Sequence, residues 1–188
     1  MYYVLRYDGF SDTEALSLPR PALPDPDMAF HNGVVVANAP KLITFTMTGR
    51  ERGDLGDWVP TGLPGLVISM KFREALQLGG ADNIQYIPAA IYDEVGKRTH
   101  TDYVVANVIG IVDCIDLARS KLTMRAALPD KIRDINELHI DEARAAEHTI
   151  FRLARKSSLI LVSEQVKAAL DRAGLRGPTL VEAEGFAT

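Results

Sequence analysis

The sequence predicts an α/β (α+β) fold: a mixed or antiparallel sheet with a long central hairpin and two similar strand-helix elements. Two observations carry this. First, an apolar triplet ending in serine, Val67-Ile68-Ser69, precedes apolar residues at helical spacing, Phe72, Ala75, Leu76 and Gly79. The same grammar returns at an offset of 94 residues, with Leu161-Val162-Ser163 before Val166, Ala169, Leu170 and Ala173. Second, Ile84 to Leu117 is rich in β-branched residues, interrupted only by the polar stretch DEVGKRTHT.

Taken in chain order, MYYVLRY at the N-terminus alternates like a strand. LSLPRPALPDP, residues 16–26, carries four prolines, which hold the backbone extended and irregular. It reads as a surface loop or clasp. Val34 to Ala37 and Leu42 to Met47 read as short strands, and the glycine-rich stretch Gly49 to Gly65 as a loop around the single tryptophan, Trp58. Loop-rich segments are thus expected at 10–32 and 49–65, within one domain covering 1–188.

Helices are expected near 70–78 and 164–173. Each begins at a serine able to cap the free N–H groups of the first turn, and each stops at a glycine, Gly80 or Gly174. They lead into extended runs at Ile84 to Tyr92 and Thr179 to Glu184. Pro88 predicts a break or bulge in the first hairpin arm, because proline cannot donate to a ladder. The second arm is expected to run through DYVVANVIGIVDCIDL. Further on, Ile132 to Ile140 alternates weakly, Asp141 to Glu147 suits a short helix, and Thr149 to Leu153 and Leu159 to Val162 suit strands. Residues 143, 146, 150 and 153 also allow one longer helix.

Composition narrows the function. A chain of 188 residues buries about 70% of its unfolded surface. Its 47% hydrophobic and 24% charged residues are those of an ordinary globular protein. The N-terminus lacks the basic leader and apolar block of a signal peptide, so a cytoplasmic location is expected. No apolar run approaches a membrane span. The net charge of −4 and the lack of basic clusters argue against nucleic acid as a direct ligand. One cysteine, Cys114, makes neither an internal disulfide nor a thiolate metal site and reads as a buried hydrophobe.

Motifs for nucleotide binding are missing: Gly49, Gly53 and Gly56 have the wrong spacing, and Gly96-Lys97 lacks the rest of a P-loop. Asp113 and Asp116 flank Cys114 but read as strand-end residues at a turn. His139, Asp141 and Glu142, with Glu147 and His148, could make an acid-base or metal cluster, or the polar face of a short helix; the latter is favoured. No catalytic, metal or cofactor residue is assigned. A small enzyme built on the His139 to His148 cluster, or an adaptor subunit of a secretion locus, are the alternatives to a binding protein. Trp58 either plugs the core or anchors an interface, tryptophan being the residue type most enriched at hot spots.

The segments DNIQYIPAAIYDEVGKRTHTDYVVANVIGIVDCIDLARS, IRDINELHID and HTIFRLARKSSLILVSEQVKAALDRAGLRG, with the opening MYYVL, resemble immunity protein family eleven, a polymorphic-toxin immunity family. The resemblance covers roughly Asp82 to Gly177 and the first strand. It implies a stoichiometric, non-enzymatic antidote that binds a cognate toxin domain of a type VI or contact-dependent effector, in some cases a nuclease, in kin discrimination. The toxin is expected to be encoded by the adjacent gene, and a homodimer is compatible with the sequence. Candidate partner-binding residues, chosen by residue type and expected exposure, are Asp54, Asp57 and Trp58 in the acidic aromatic loop, and Asp93 and Glu94 at the hairpin turn.

Overall fold

The computed structural model describes residues 1–7, 17–23, 25, 28, 30–48 and 55–188. Among them the chain forms twelve strands and three helices: β1 (Tyr2–Tyr7), β2 (Ile43–Met47), β3 (Trp58–Val59), β4 (Leu66–Ser69), α1 (Met70–Leu78), β5 (Ile84–Asp93), β6 (Arg98–Val108), β7 (Ile111–Val112), β8 (Lys121–Arg125), β9 (Leu128–Glu137), α2 (Glu142–Ala145), β10 (Ile150–Leu153), β11 (Lys156–Ser163), α3 (Glu164–Ala173) and β12 (Pro178–Glu182). The mixed α+β class is the expected one. The described strands divide between two five-stranded sheets, ordered β12-β1-β11-β10-β7 and β2-β5-β6-β4-β3, and a β8-β9 ribbon.

Both helices of the echo form where the sequence places them. The Ser69 and Ser163 hydroxyls accept from the N–H groups of Phe72 and Val166. Gly80 and Gly174 take positive φ, +80° and +57°, as helix-stopping glycines do. In each unit the helix carries the chain across one intervening antiparallel strand. β4 and β5 flank β6, and β11 and β12 flank β1, with all pairings to the middle strand antiparallel. Each unit is therefore a split β-α-β motif.

The layering explains the continuous apolar runs. Along β1, β4, β6 and β11, alternate residues enter different cores, since successive side chains point to opposite faces. Tyr2, Val4 and Leu161 join a core under the β8-β9 ribbon, with Ile132, Ile135 and Leu138. Tyr3, Leu5, Ile68, Val104, Ile160 and Val162 meet α1 and α3 in a central core between the sheets. Val67, Val105, Phe45 and Ile87 face a third core covered by Leu18 of the proline-rich stretch and by Met28 and Phe30 just beyond it. Leu18 bridges Thr61, so that stretch clasps the sheet. Strands buried on both faces lose the apolar-polar alternation that marks a half-buried one.

Several local expectations need correction. Val34 to Ala37 forms no strand. Its polar backbone groups are met by side chains: the Gln85 amide receives the Val36 N–H and donates to the Val36 carbonyl, both at 2.9 Å, and Asn107 donates to the Val34 carbonyl. The second hairpin arm ends at Val108, not near Leu117, because Gly110 at φ +98° turns the chain into β7 and the other sheet. The hairpin bulge falls between Ala89 and Ile91 rather than at Pro88. The longer-helix option fails, since Ile150–Leu153 is a strand buried throughout its length. β8 is a strand the sequence did not predict; it pairs with the strand around Ile132 through three register shifts that blur its alternation.

Candidate functional site

The loop entering β3 is held by a compact polar node. Asp57 Oδ1 accepts from the Ser69 hydroxyl at 2.6 Å and Oδ2 from the Arg176 N–H at 2.8 Å. The Asp57 N–H donates to the Arg176 carbonyl, and the Asp57 carbonyl receives the Ser69 N–H. Tyr103 donates its hydroxyl to the Gly56 carbonyl at 3.0 Å. Burial, reinforced by Asp102 and Asp57, pushes that phenol up to about 12, so it remains a donor throughout the physiological range. The node joins the β4-α1 junction to the turn after α3. Asp57 is thus a fastener at the surface.

Trp58 is half-buried. Its ring meets Tyr7 edge-on at 5.7 Å and packs on the central core. It performs the core-plugging role that the sequence allowed, and it also lines a pocket at the surface. Asp54 lies outside the described residues.

At the hairpin tip, Asp93 is buried and its Oδ1 accepts the N–H groups of Val95 and Gly96 at 3.0 and 2.8 Å. The Gly96 and Val95 bonds, with Arg98 alongside, hold its carboxyl below the ordinary value against the opposing effect of burial. Glu94 donates its N–H to the Met47 carbonyl and presents its side chain outward beside Val95, which is 71% exposed. Tyr103, which binds the Asp57 node, stands five residues along β6 from Arg98 at the base of this turn. At the rise of a strand that is about 17 Å. The two groups therefore mark separate points on the same sheet.

A third feature was missed from sequence. Arg152, in the middle of the apolar strand IFRL, is only 2% exposed. Its Nε, Nη1 and Nη2 donate to the carbonyls of Val108, Ser157 and Phe30 at 3.1, 2.8 and 2.7 Å, tying both sheets to the segment that follows the clasp. Among the described residues no carboxylate pairs with it. It borders a cavity of about 280 Å³ with His31, Trp58, Leu63, Leu66 and Ile160. A lone arginine inside an apolar tetrapeptide was the available signal, because arginine is almost never buried without a purpose.

The histidine cluster comes apart in three dimensions. His139 sits between two carboxylates, Nδ1 at 2.7 Å from Glu184 and Nε2 at 3.1 Å from Glu137. These contacts, Glu184 foremost, raise its pKa. Asp141 caps α2 by accepting from Ala143 and Arg144, and Glu142 meets the N-terminal amine. His148 instead faces Phe151. Among the described residues no group of three His, Cys, Asp or Glu side chains is placed to hold a metal. Asp116 accepts from the N–H groups of Ala118 and Arg119 in a turn. Cys114 is buried, and burial pushes its thiol up to about 11, far from thiolate reactivity.

No helix among the described residues is long and apolar enough to cross a membrane. Compared with curated proteins, the chain matches none. The match to the immunity protein family Imm11 spans residues 3–185, reaching well beyond the second half where the resemblance is easiest to read and taking in the proline-rich clasp and the Trp58 loop. With nearly the whole fold inside that match, the chain belongs to the Imm11 immunity protein family.

Proposed function

We propose that this protein is a cytoplasmic antidote that neutralises a cognate secreted bacterial toxin by forming a one-to-one protein complex. Family membership across 3–185 is the observation that carries the reading. The toxin would be encoded by the adjacent gene and delivered by a type VI or contact-dependent system. A basic nuclease domain suits the net charge of −4, which would steer association. The chain acts as one domain over 1–188 without turnover of a substrate.

The residues proposed to make the contact are Asp54, Asp57 and Trp58 of the acidic aromatic loop and Asp93 and Glu94 at the hairpin tip. Glu94 and the open edge of Trp58 would touch the toxin, while Asp57 and Asp93 hold the two loops in shape. An interface of about 1,200 to 2,000 Å² in total is expected.

Co-expression with the neighbouring toxic domain tests the reading. The wild-type chain should restore growth and co-purify with the toxin; failure of both would falsify it. Within the complex, Trp58→Ala should cost about 2 kcal/mol or more of affinity as a hot-spot truncation. Glu94→Lys should chiefly slow association and weaken its salt dependence.

A further inference from the structure

The cavity beside Trp58 has a polar floor and apolar walls. Its walls come from Trp58, Leu63, Leu66 and Ile160, with Ser158 and Pro64 exposed at the rim. Arg152 lies at its inner side. A guanidinium carries five N–H donors. Three of its nitrogens each serve one backbone carbonyl, which leaves an N–H on Nη1 and on Nη2 without an acceptor among the described residues. Carbonyls solvate the cation but do not neutralise it, and a buried charge is ordinarily paired. Burial lowers the Arg152 pKa to about 10, with no acidic neighbour among the described residues opposing it. His31, on the same lining, has a buried Nδ1 with no hydrogen-bond partner among the described residues.

We propose that this pocket is a binding site for a small carboxylate on an apolar body, the carboxylate meeting the Arg152 guanidinium, which no carboxylate among the described residues neutralises, and the body lying against Trp58, Leu66 and Ile160. The chemistry of both parts is required. An inorganic anion would leave the apolar walls wet, and a neutral hydrocarbon would leave the cation unpaired. A pocket of this size, near the lower end for small-molecule sites, suits a ligand of about ten heavy atoms.

Trp58 is the single tryptophan, so its fluorescence reports on this pocket. Titrating the full chain with phenylacetate should give a saturable change in Trp58 emission and a rise in unfolding temperature, as binding to the native state requires. Phenylacetamide, which keeps the body and loses the charge, and acetate, which keeps the charge and loses the body, should each bind at least about tenfold more weakly. Arg152→Met tests the cation but also removes three structural hydrogen bonds. Ser158→Tyr is therefore the second variant: it narrows the mouth from an exposed position, and it should abolish the response while leaving unliganded stability unchanged. No saturable response at millimolar phenylacetate, an equal response to the amide, or a response that survives Ser158→Tyr in the folded protein would each overturn the proposal.

Discussion

The units β4-α1-β5 and β11-α3-β12 share one local grammar and occupy different surroundings. Both start from a capping serine, cross an antiparallel strand and end at a glycine of positive φ. They differ in what they lean on. β5 is a ten-residue strand paired on both sides, by β2 and β6, whereas β12 has five partly exposed residues at a sheet edge. The first helix offers Phe72 to the central core where the second offers Val166, and Gly79 stands where the second has Ala173. Local signals start and stop both helices alike; the neighbours decide how much each contact is worth.

The largest asymmetry is expected in the core. Phe72→Ala should cost about 3–5 kcal/mol, against about 2 kcal/mol for Val166→Ala at the matching position, both read from urea unfolding midpoints. Equal losses would mean that the two helices are packed alike despite their different side chains.

Gly79→Ala comes next. A Cβ there would stand 2.8 Å from the Val166 Cα, so α1 and α3 must move apart, at about 1–3 kcal/mol. Gly174→Ala meets no atom but must hold φ +57°, costing about 1–2 kcal/mol, and Gly174→Asn should recover much of that. If the asparagine variant is as unstable as the alanine one, backbone strain is not the cause.

The caps sharpen the comparison further. Ser69→Ala should cost about 2 kcal/mol and Ser163→Ala about 1 kcal/mol, because Ser69 is buried and also donates to Asp57, which would lose that partner. Matched losses, measured by denaturant unfolding, would remove Asp57 from its assigned role as fastener.

The smallest effect is a pH dependence belonging to neither unit. His139 has its pKa raised from the ordinary 6.5, while Glu137 and Glu184 are lowered from 4.5. The histidine contribution is full below 6.5 and is lost as pH rises through the raised folded value. The carboxylate contributions are full above 4.5 and are lost as pH falls through the lowered values. The clamp is therefore strongest between 4.5 and 6.5. In His139→Gln the decline in unfolding midpoint above 6.5 should flatten; an unchanged pH profile would assign that decline to another group.

Legibility followed the range of the forces involved. The capped helices, their glycine stops and the hairpin could be read because serine hydroxyls, glycine backbones and β-branched runs act on residues a few positions away. Val34 to Ala37 misled because it has a strand's composition, but its backbone found Gln85 and Asn107 instead of a strand. Residue type singled out Asp57 and Asp93 as candidate partner contacts, without revealing that their carboxylates are occupied in holding turns. Family membership was legible from motifs, and it spans more of the chain than those motifs do.

The sequence by itself determined the strand-helix units, their ends and the kind of protein this is, since each rests on local patterns or on motif identity. Only the tertiary structure decided that the described strands divide into two sheets and a ribbon around three cores, that the histidines part company, and that Arg152 lies buried beside Trp58 with no carboxylate partner among the described residues. Those outcomes depend on contacts such as Arg152 to Phe30, 122 residues apart, which no spacing rule encodes.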